Sequence, residues 1–292
     1  MRYKVTHTTN YSYAEPVSQC LNTAYILPRN TLSQSCIHSE LIINPVPVST
    51  DERLDYFGNR CCYFTIEQGH SAMTVTSTNL VEVTPSNDWS GLDFGSTCAQ
   101  VTDMLKTSSD PKILLAREFL LDSPTISRTE QLRDYAAPLF SSSRPFLSAV
   151  RDLNQQIHTD FTYDPHFSDV STPLSEVFEH RKGVCQDFAH LAIGCLRSLG
   201  YPARYVSGYI ETLPPPGQEK LVGTDATHAW FSVFSPSEGW FDLDPTNNTA
   251  TNEQHIVTAW GRDYTDVAPL RGVIFGGGEQ HTLDVSVDVR RV

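Results

Sequence analysis

Basic residues are scarce in this chain: 21 Lys and Arg stand against 34 Asp and Glu among 292 residues, a formal charge of −13. That balance excludes the positive footprint of a nucleic-acid binder and any attraction to an anionic membrane. Long apolar runs are missing too, and no stretch approaches the 18 or so uninterrupted apolar residues of a membrane-crossing helix. The opening MRYKVTHTTNYSY alternates polar and apolar as a strand does. It lacks the apolar core of a signal peptide, so the expected location is the cytoplasm. The sequence shows no internal repeat, no low-complexity tract, and no G-x-S-x-G, P-loop or H-E-x-x-H motif. The seven cysteines are an odd number without the regular spacing of a disulfide scaffold, so most of them, Cys61 and Cys62 included, are expected as buried thiols. What is present is an ordinary globular composition, 39% hydrophobic and 19% charged, long enough for one large domain or two smaller ones.

A period of two governs the chain to about residue 83, in Tyr3-Val5-His7, ELIINPVPV, YFTIEQ and SAMTVTSTNLVEVTP. Between Tyr56 and Tyr63, Phe57-Gly58-Asn59-Arg60 reads as a hairpin turn, because glycine tolerates positive φ. PSNDWSGLDFGST, from Pro85, reads as loop, and from there to about residue 180 the pattern is helical. Lys112 to Leu121 reads as one helix, and Phe146, Val150, Leu153 and Ile157 share a face of another. Thr172 followed by Pro173 predicts an N-cap and first turn for a short helix ending near His180. A helix starting at Cys185 carries Phe188, Leu191, Ala192, Cys195 and Leu199 at helical spacing and stops at Gly200 and Pro202. The period then returns to two in ARYVSGYI, HAWFSVFS and GWFDLDPT. The order predicts an α+β protein: an antiparallel β domain over residues 1–90, a core over 91–272, and a C-terminal strand over 273–292. That last strand, Leu283 to Val289, is expected to return to the N-terminal β domain rather than pair with HAWFSVFS.

Three residues carry the chemistry. Folding HAWFSVFS onto GWFDLDPT about residue 236 sets His228 opposite Asp244, within a residue or two of register, where Cβ atoms lie about 4.5–5.5 Å apart. A carboxylate there holds an imidazole in one tautomer and stabilises its protonated form. Cys185 supplies the nucleophile, since the unpaired N–H groups and positive end of a helix favour an anionic thiolate. Its own N–H is an available oxyanion donor, and Gly183 leaves room for a substrate backbone. Alone, each reads more readily as structure: a buried thiol, a satisfied strand histidine, the start of a turn. Together, in the order Cys, His, Asp with a hairpin joining the last two, they point to acyl transfer. His190 lies about 140° around the helix from Cys185, so Cys185, His190 and Cys195 cannot converge, and no zinc site is expected.

These residues resemble the transglutaminase-like superfamily of papain-like thiol enzymes, and more closely the bacterial transglutaminase-like cysteine peptidases that carry an N-terminal β region. The resemblance rests on Gly183-Val184-Cys185-Gln186-Asp187-Phe188-Ala189, on His228-Ala229-Trp230 and on Trp240 through Thr246. It extends to Gly58-Asn59, to Gly261-Arg262-Asp263-Tyr264, and to Pro269 through Val273 with the glycines after Phe275. It implies a papain-like/transglutaminase-like core with Cys185 as nucleophile, His228 as general base and acid, and Asp244 as the orienting carboxylate. Family members often carry an acidic residue where Ser232 stands here, a position read as structural. Tyr163 matches a recurrent aromatic; either it turns its hydroxyl into the cleft as an oxyanion or substrate contact, or it is a buried tyrosine with a local hydrogen bond. Asp187 either contacts substrate or favours the helix start, and it is not assigned to chemistry. The implied reaction is acyl transfer from a peptide bond or side-chain amide through a thioester. Hydrolysis by a cysteine protease or amidase is expected, because water is always present. Protein-glutamine transamidation, an acyl-thioester-using acyltransferase, or a non-catalytic peptide-binding module are the alternatives. No cofactor or metal is implied, since no D-x-[DN]-x-[DN]-G calcium loop occurs, and the expected partner is a peptide or protein substrate, with no nucleic acid and no membrane.

Overall fold

The computed structural model describes residues 1–84, 92–212 and 227–292. Alternation builds the N-terminal part: in β1 (Arg2–Ala24), Tyr3, Val5, His7 and Thr9 point inward while their neighbours face out. With β2 (Gln34–Asn44), β3 (Ser49–Leu54), β4 (Arg60–Ile66) and β5 (His70–Val83) it forms an antiparallel sheet in the order β2-β5-β1-β4-β3. The turn before β4 holds Gly58 at a φ of +73°, as a hairpin read at Phe57–Arg60 requires.

A helical layer follows: α1 (Cys98–Thr107), α2 (Pro111–Ala116), α3 (Glu130–Ala136), α4 (Phe146–Asp160) and, after the two-residue β6 (Thr162–Tyr163), α5 (Leu174–His180). Residues 85–91, the start of the expected loop PSNDWSGLDFGST, lie outside the described residues. Two helix expectations need correction. The single helix read over Lys112–Leu121 is α2 followed by a tighter 3₁₀ turn at Arg117–Leu120, whose Phe119 packs against Phe57 and Trp240. The N-cap of α5 is Pro173 rather than Thr172, because the Thr172 hydroxyl is already engaged in the preceding turn, accepting from the Asp169 N–H at 3.0 Å.

β7 (Lys182–Gly183) pairs in parallel with β6 and delivers the chain to α6 (Cys185–Ser198). From Asp187 to Arg197 every residue of α6 is buried, so this is a central helix enclosed on all sides rather than an amphipathic one on a surface. Its polar members are satisfied: Arg197 donates to the carbonyls of Ala203 and Arg262 and to Ser123, and His190 accepts from the Tyr264 N–H. Against it packs a second antiparallel sheet made of β8 (Ala203–Ile210), β9 (Thr227–Ser235), β10 (Gly239–Asp244), β11 (Thr249–Ala250) and β12 (His255–Gly261), ordered β11-β10-β9-β8-β12.

After the short α7 (Tyr264–Val267), the chain goes back to its start. β13 (Leu270–Gly276) pairs with β1 over Val17–Ala24, and β14 (His281–Arg291) pairs with it over Tyr3–Tyr13. β14 therefore joins the N-terminal sheet, and its Val287 and Val289 pack with Tyr209 and Ile256 of the second sheet. All seven cysteines are free, and no described helix is long and apolar enough to cross a membrane.

Candidate active site

Cys185 opens α6 behind Val184, which has no side chain able to cap. The cap comes from inside the helix. Asp187, buried in the first turn, accepts from the Val184 N–H at 2.8 Å and from the Ser168 hydroxyl at 2.5 Å. This assigns Asp187 to the helix start, and burial raises its carboxyl above the usual range against those hydrogen bonds. It also corrects the reading of Gly183. A Cβ there would lie 2.7 Å from Asp187 Oδ2, so the space is filled by the cap and not left for substrate. The remaining N–H groups of the first turn, that of Cys185 among them, have no intrahelical acceptor and point toward the thiol end.

His228, second in β9, and Asp244, last in β10, meet across the hairpin, but not in direct opposition. The ladder pairs Ser235 with Gly239 and Phe231 with Leu243, which puts Asp244 across from Trp230 and His228 on the diagonal. The register differs by two residues from folding about residue 236. An even shift leaves both side chains on one face, and the diagonal is within reach of an imidazole. The ring Nε2–H donates to Asp244 Oδ2 at 2.7 Å, and the Cys185 thiol is near enough for its charge to act on the ring. Asp242, which shares the strand face, instead accepts from the Trp230 indole at 3.5 Å.

The electrostatics follow from burial and partners. Burial opposes charge on His228, but the hydrogen bonds and negative charge of Asp244 and Cys185 outweigh it, and the imidazole is pushed up to about 10. Asp244 is fully buried, which raises a carboxyl, yet it is held well below the usual range by His228 and by His255. Sequence reading missed His255, the first residue of β12, whose Nε2 lies 3.1 Å from the same Oδ2. Asn247 was missed as well; its side-chain N–H donates to Oδ2 at 2.6 Å, while the Thr246 and Asn247 backbone N–H groups donate to Oδ1. The latter pair was legible in Asp244-Pro245-Thr246-Asn247, an Asx turn in which Pro245 has no N–H and the next two residues do. His255 left no local signal, since only sheet topology brings it to Asp244. His228, Asp244 and His255 offer ligand atoms within 4.8 Å of one another. Each imidazole nitrogen involved is already a hydrogen-bond donor to the carboxylate, and a cation there would take the nitrogen that orients His228.

Tyr163 pairs with Gly183 across the short parallel ladder and lies edge-on to Phe188. It is 52% exposed, so it is not the buried tyrosine of the alternative reading. Burial of part of the ring and the negative field of Cys185 raise its hydroxyl above the ordinary value. A cavity of about 400 Å³ extends from Gln186 and His190 between Thr129, Thr172, Leu174 and Phe178. Its described lining carries no carboxylate, ammonium or guanidinium.

Residues 3–82 match the family model of the bacterial transglutaminase-like N-terminal region, and residues 133–245 match that of the transglutaminase-like superfamily. An uncharacterized protein of Mycobacterium tuberculosis is 43% identical over 292 residues, covering 99% of this chain and 92% of its own length. A protein-glutamine gamma-glutamyltransferase of Pseudomonas aeruginosa is 29% identical over 191 residues, 59% of this chain and 28% of that one. A crystal structure described as a "putative cysteine protease" from Cytophaga hutchinsonii superposes with a TM-score of 0.76 at 22% identity, covering 99% of this chain and 90% of that one, which establishes a shared fold. On its two matched regions and its full-length relative, the chain belongs to the transglutaminase-like superfamily, in the bacterial form that carries its own N-terminal β region.

Proposed function

We propose that this protein is a thiol-dependent hydrolase of peptide or side-chain amide bonds, with Cys185 as nucleophile, His228 as general acid and base, and Asp244 as the orienting carboxylate. The observation that carries this reading is the position of His228, bonded to the fully buried Asp244 at 2.7 Å and within electrostatic reach of the Cys185 thiol. With the imidazole held protonated, His228 is set to hand a proton to the leaving nitrogen.

The Cys185 sulfur adds to the amide carbonyl carbon, and the oxyanion is received by N–H groups of the first turn of α6. Tyr163, at the same mouth, contributes a hydroxyl to substrate or oxyanion. His228 gives its proton to the leaving nitrogen, the C–N bond breaks, and a thioester remains on Cys185. Neutral His228 then takes a proton from water, the hydroxide carbon–oxygen bond forms, and the thiolate leaves. The net change is amide plus water to acid plus amine, with ammonia as the amine where the donor is a side-chain carboxamide.

Transamidation uses the same thioester with an amine in place of water, and the similarity to a protein-glutamine gamma-glutamyltransferase favours it as the second reading. Incubating the protein with casein, with and without a fluorescent primary amine, separates the two. Fragments or ammonia released equally in both conditions, and abolished by Cys185→Ala, are expected. Amine incorporation that exceeds hydrolysis overturns hydrolysis in favour of transamidation. An inert Cys185 with casein bound but unchanged leaves a peptide-binding module.

A further inference from the structure

We propose that His255 is a positioning residue for Asp244, drawing off part of the charge that His228 leans on, and that the N-terminal β region holds His255 in place through Gln34. This rests on the triad reading above and adds to it a fourth side chain and a reason for the N-terminal sheet.

The proton of His255 is placed by its neighbours. Its Nδ1 lies 3.2 Å from the Asn252 N–H, and the nearby Asn252 Oδ1 already accepts from Gln254 at 2.9 Å. Nδ1 lies equally close, 3.2 Å, to Asn252 Oδ1, and since a carboxylate oxygen only accepts, Nε2–H donates to Asp244 Oδ2 at 3.1 Å. Two imidazoles thus share one carboxylate oxygen, with His255 only 4% exposed. A donor to an anion disperses its charge, so His255 weakens the pull of Asp244 on the His228 proton. That matters because His228 must release this proton to the leaving nitrogen.

His255 begins β12, the last strand of its sheet, whose outer edge pairs with no other strand among the described residues. Side-chain amides from the N-terminal region replace one. Gln34 donates to the Val257 carbonyl at 2.7 Å and accepts from its N–H at 2.8 Å. Asn59 does the same at Trp260, at 2.7 and 2.9 Å. Val257 is two residues from His255, so Gln34 fixes the strand next to the ring.

The test uses the full chain, iodoacetamide as probe, and peptide mapping to follow Cys185 across pH 4.5–8. His255→Phe keeps the edge-on packing against Trp230, 5.2 Å between centroids, and removes the donor. With Asp244 then pulling harder on the His228 proton, the thiolate–imidazolium pair is favoured, and labelling of Cys185 at pH 5.5 should be about threefold faster, the whole profile moving to acid. His255→Gln, whose carboxamide N–H reaches the same oxygen, should restore the native profile. Gln34→Met should shift the profile in the same direction by less, and should add nothing in the His255→Phe background. A merely structural loosening slows labelling instead. An unmoved or alkaline-shifted profile for His255→Phe, or no restoration by His255→Gln, overturns the role of His255. A Gln34→Met effect that persists in the double variant, or is absent in the single, overturns the clamp. Should His255→Phe fail to fold, the direction of the Gln34→Met shift decides alone. If native Cys185 labels no faster than the buried Cys195, the triad reading itself falls, a result distinct from all of these.

Discussion

Asp244 is sealed from water yet receives five donors: His228 Nε2, His255 Nε2 and the Asn247 side chain on Oδ2, and the Thr246 and Asn247 backbone N–H groups on Oδ1. Such a site keeps a carboxylate charged where burial alone would neutralise it, and the charge is what His228 needs to stay protonated beside a thiol. Asp244→Asn keeps the shape and removes the charge. Turnover of whichever amide the assay above identifies should fall by roughly 10³–10⁴-fold, with thermal unfolding showing an intact fold. Near-native turnover in that variant would reject Asp244 as the orienting group. Asp242, bonded to the Trp230 indole, is not placed to substitute.

At the scale of elements, the start of α6 is a compromise between folding and chemistry. A side-chain cap at Val184 would occupy the N–H groups that face the thiol. The structure instead places the capping carboxylate at Asp187, three residues on, where it accepts from the Val184 N–H. Gly183 is the residue that makes this possible, because the carboxylate of Asp187 occupies the volume where a Cβ would sit. Gly183→Ala should therefore destabilise the protein by about 1–3 kcal/mol and slow Cys185 labelling, read by thermal unfolding and mapped alkylation together. An unchanged melting temperature would show that the cap can shift without cost. The β9–β10 hairpin shows a related economy: a two-residue change of register leaves the same faces in contact, so the pairing of His228 with Asp244 does not depend on direct opposition.

At the scale of the whole molecule, two buried imidazoles tie stability to pH. His7, which bridges Tyr209 and Thr9 at the contact between the sheets, is lowered to about 4 by burial. His190, inside α6, is likewise lowered to about 4, by burial first and by Arg197, against the pull of Asp263. Both are neutral in the folded chain and take up protons near pH 6.5 when unfolded. Between those values the unfolded state binds more protons, so their contribution is complete above about pH 6.5 and is lost as pH falls toward 4. The loss should amount to a few kcal/mol, on the order of the two shifts combined. His228 has the opposite sign: its raised value contributes stability that is intact below about 6.5 and lost as pH rises through about 10. Thermal unfolding at pH 7.5 and 4.5 checks the acid side. The melting temperature should drop, and the drop should shrink in His7→Gln; an equal drop in that variant would remove His7 from the account.

The sequence by itself determined what depends on local periodicity and on residue chemistry. Alternation revealed most strands of both sheets, though not β3, β11, β12 or β13; helical spacing revealed α4 and α6, and a thiol at a helix start with a histidine and an aspartate on one hairpin revealed the candidate triad. Its errors were equally local. Thr172 was read as a cap because the competing acceptor role toward Asp169 is invisible without coordinates, and Gly183 was read as room for substrate because the side chain that fills the space lies one turn ahead. Only the tertiary structure decided what depends on non-local pairing. His255 reaches Asp244 because β12 lies beside β8 at the far edge of the sheet, and Asn59, a turn residue by sequence, grips Trp260 from 201 positions away. The return of β13 to β1 is decided in the same way, beside β14, whose return to the N-terminal sheet the sequence reading expected. Contacts between distant segments are selected by the burial of whole faces and the satisfaction of strand edges. No window of neighbouring residues contains that information.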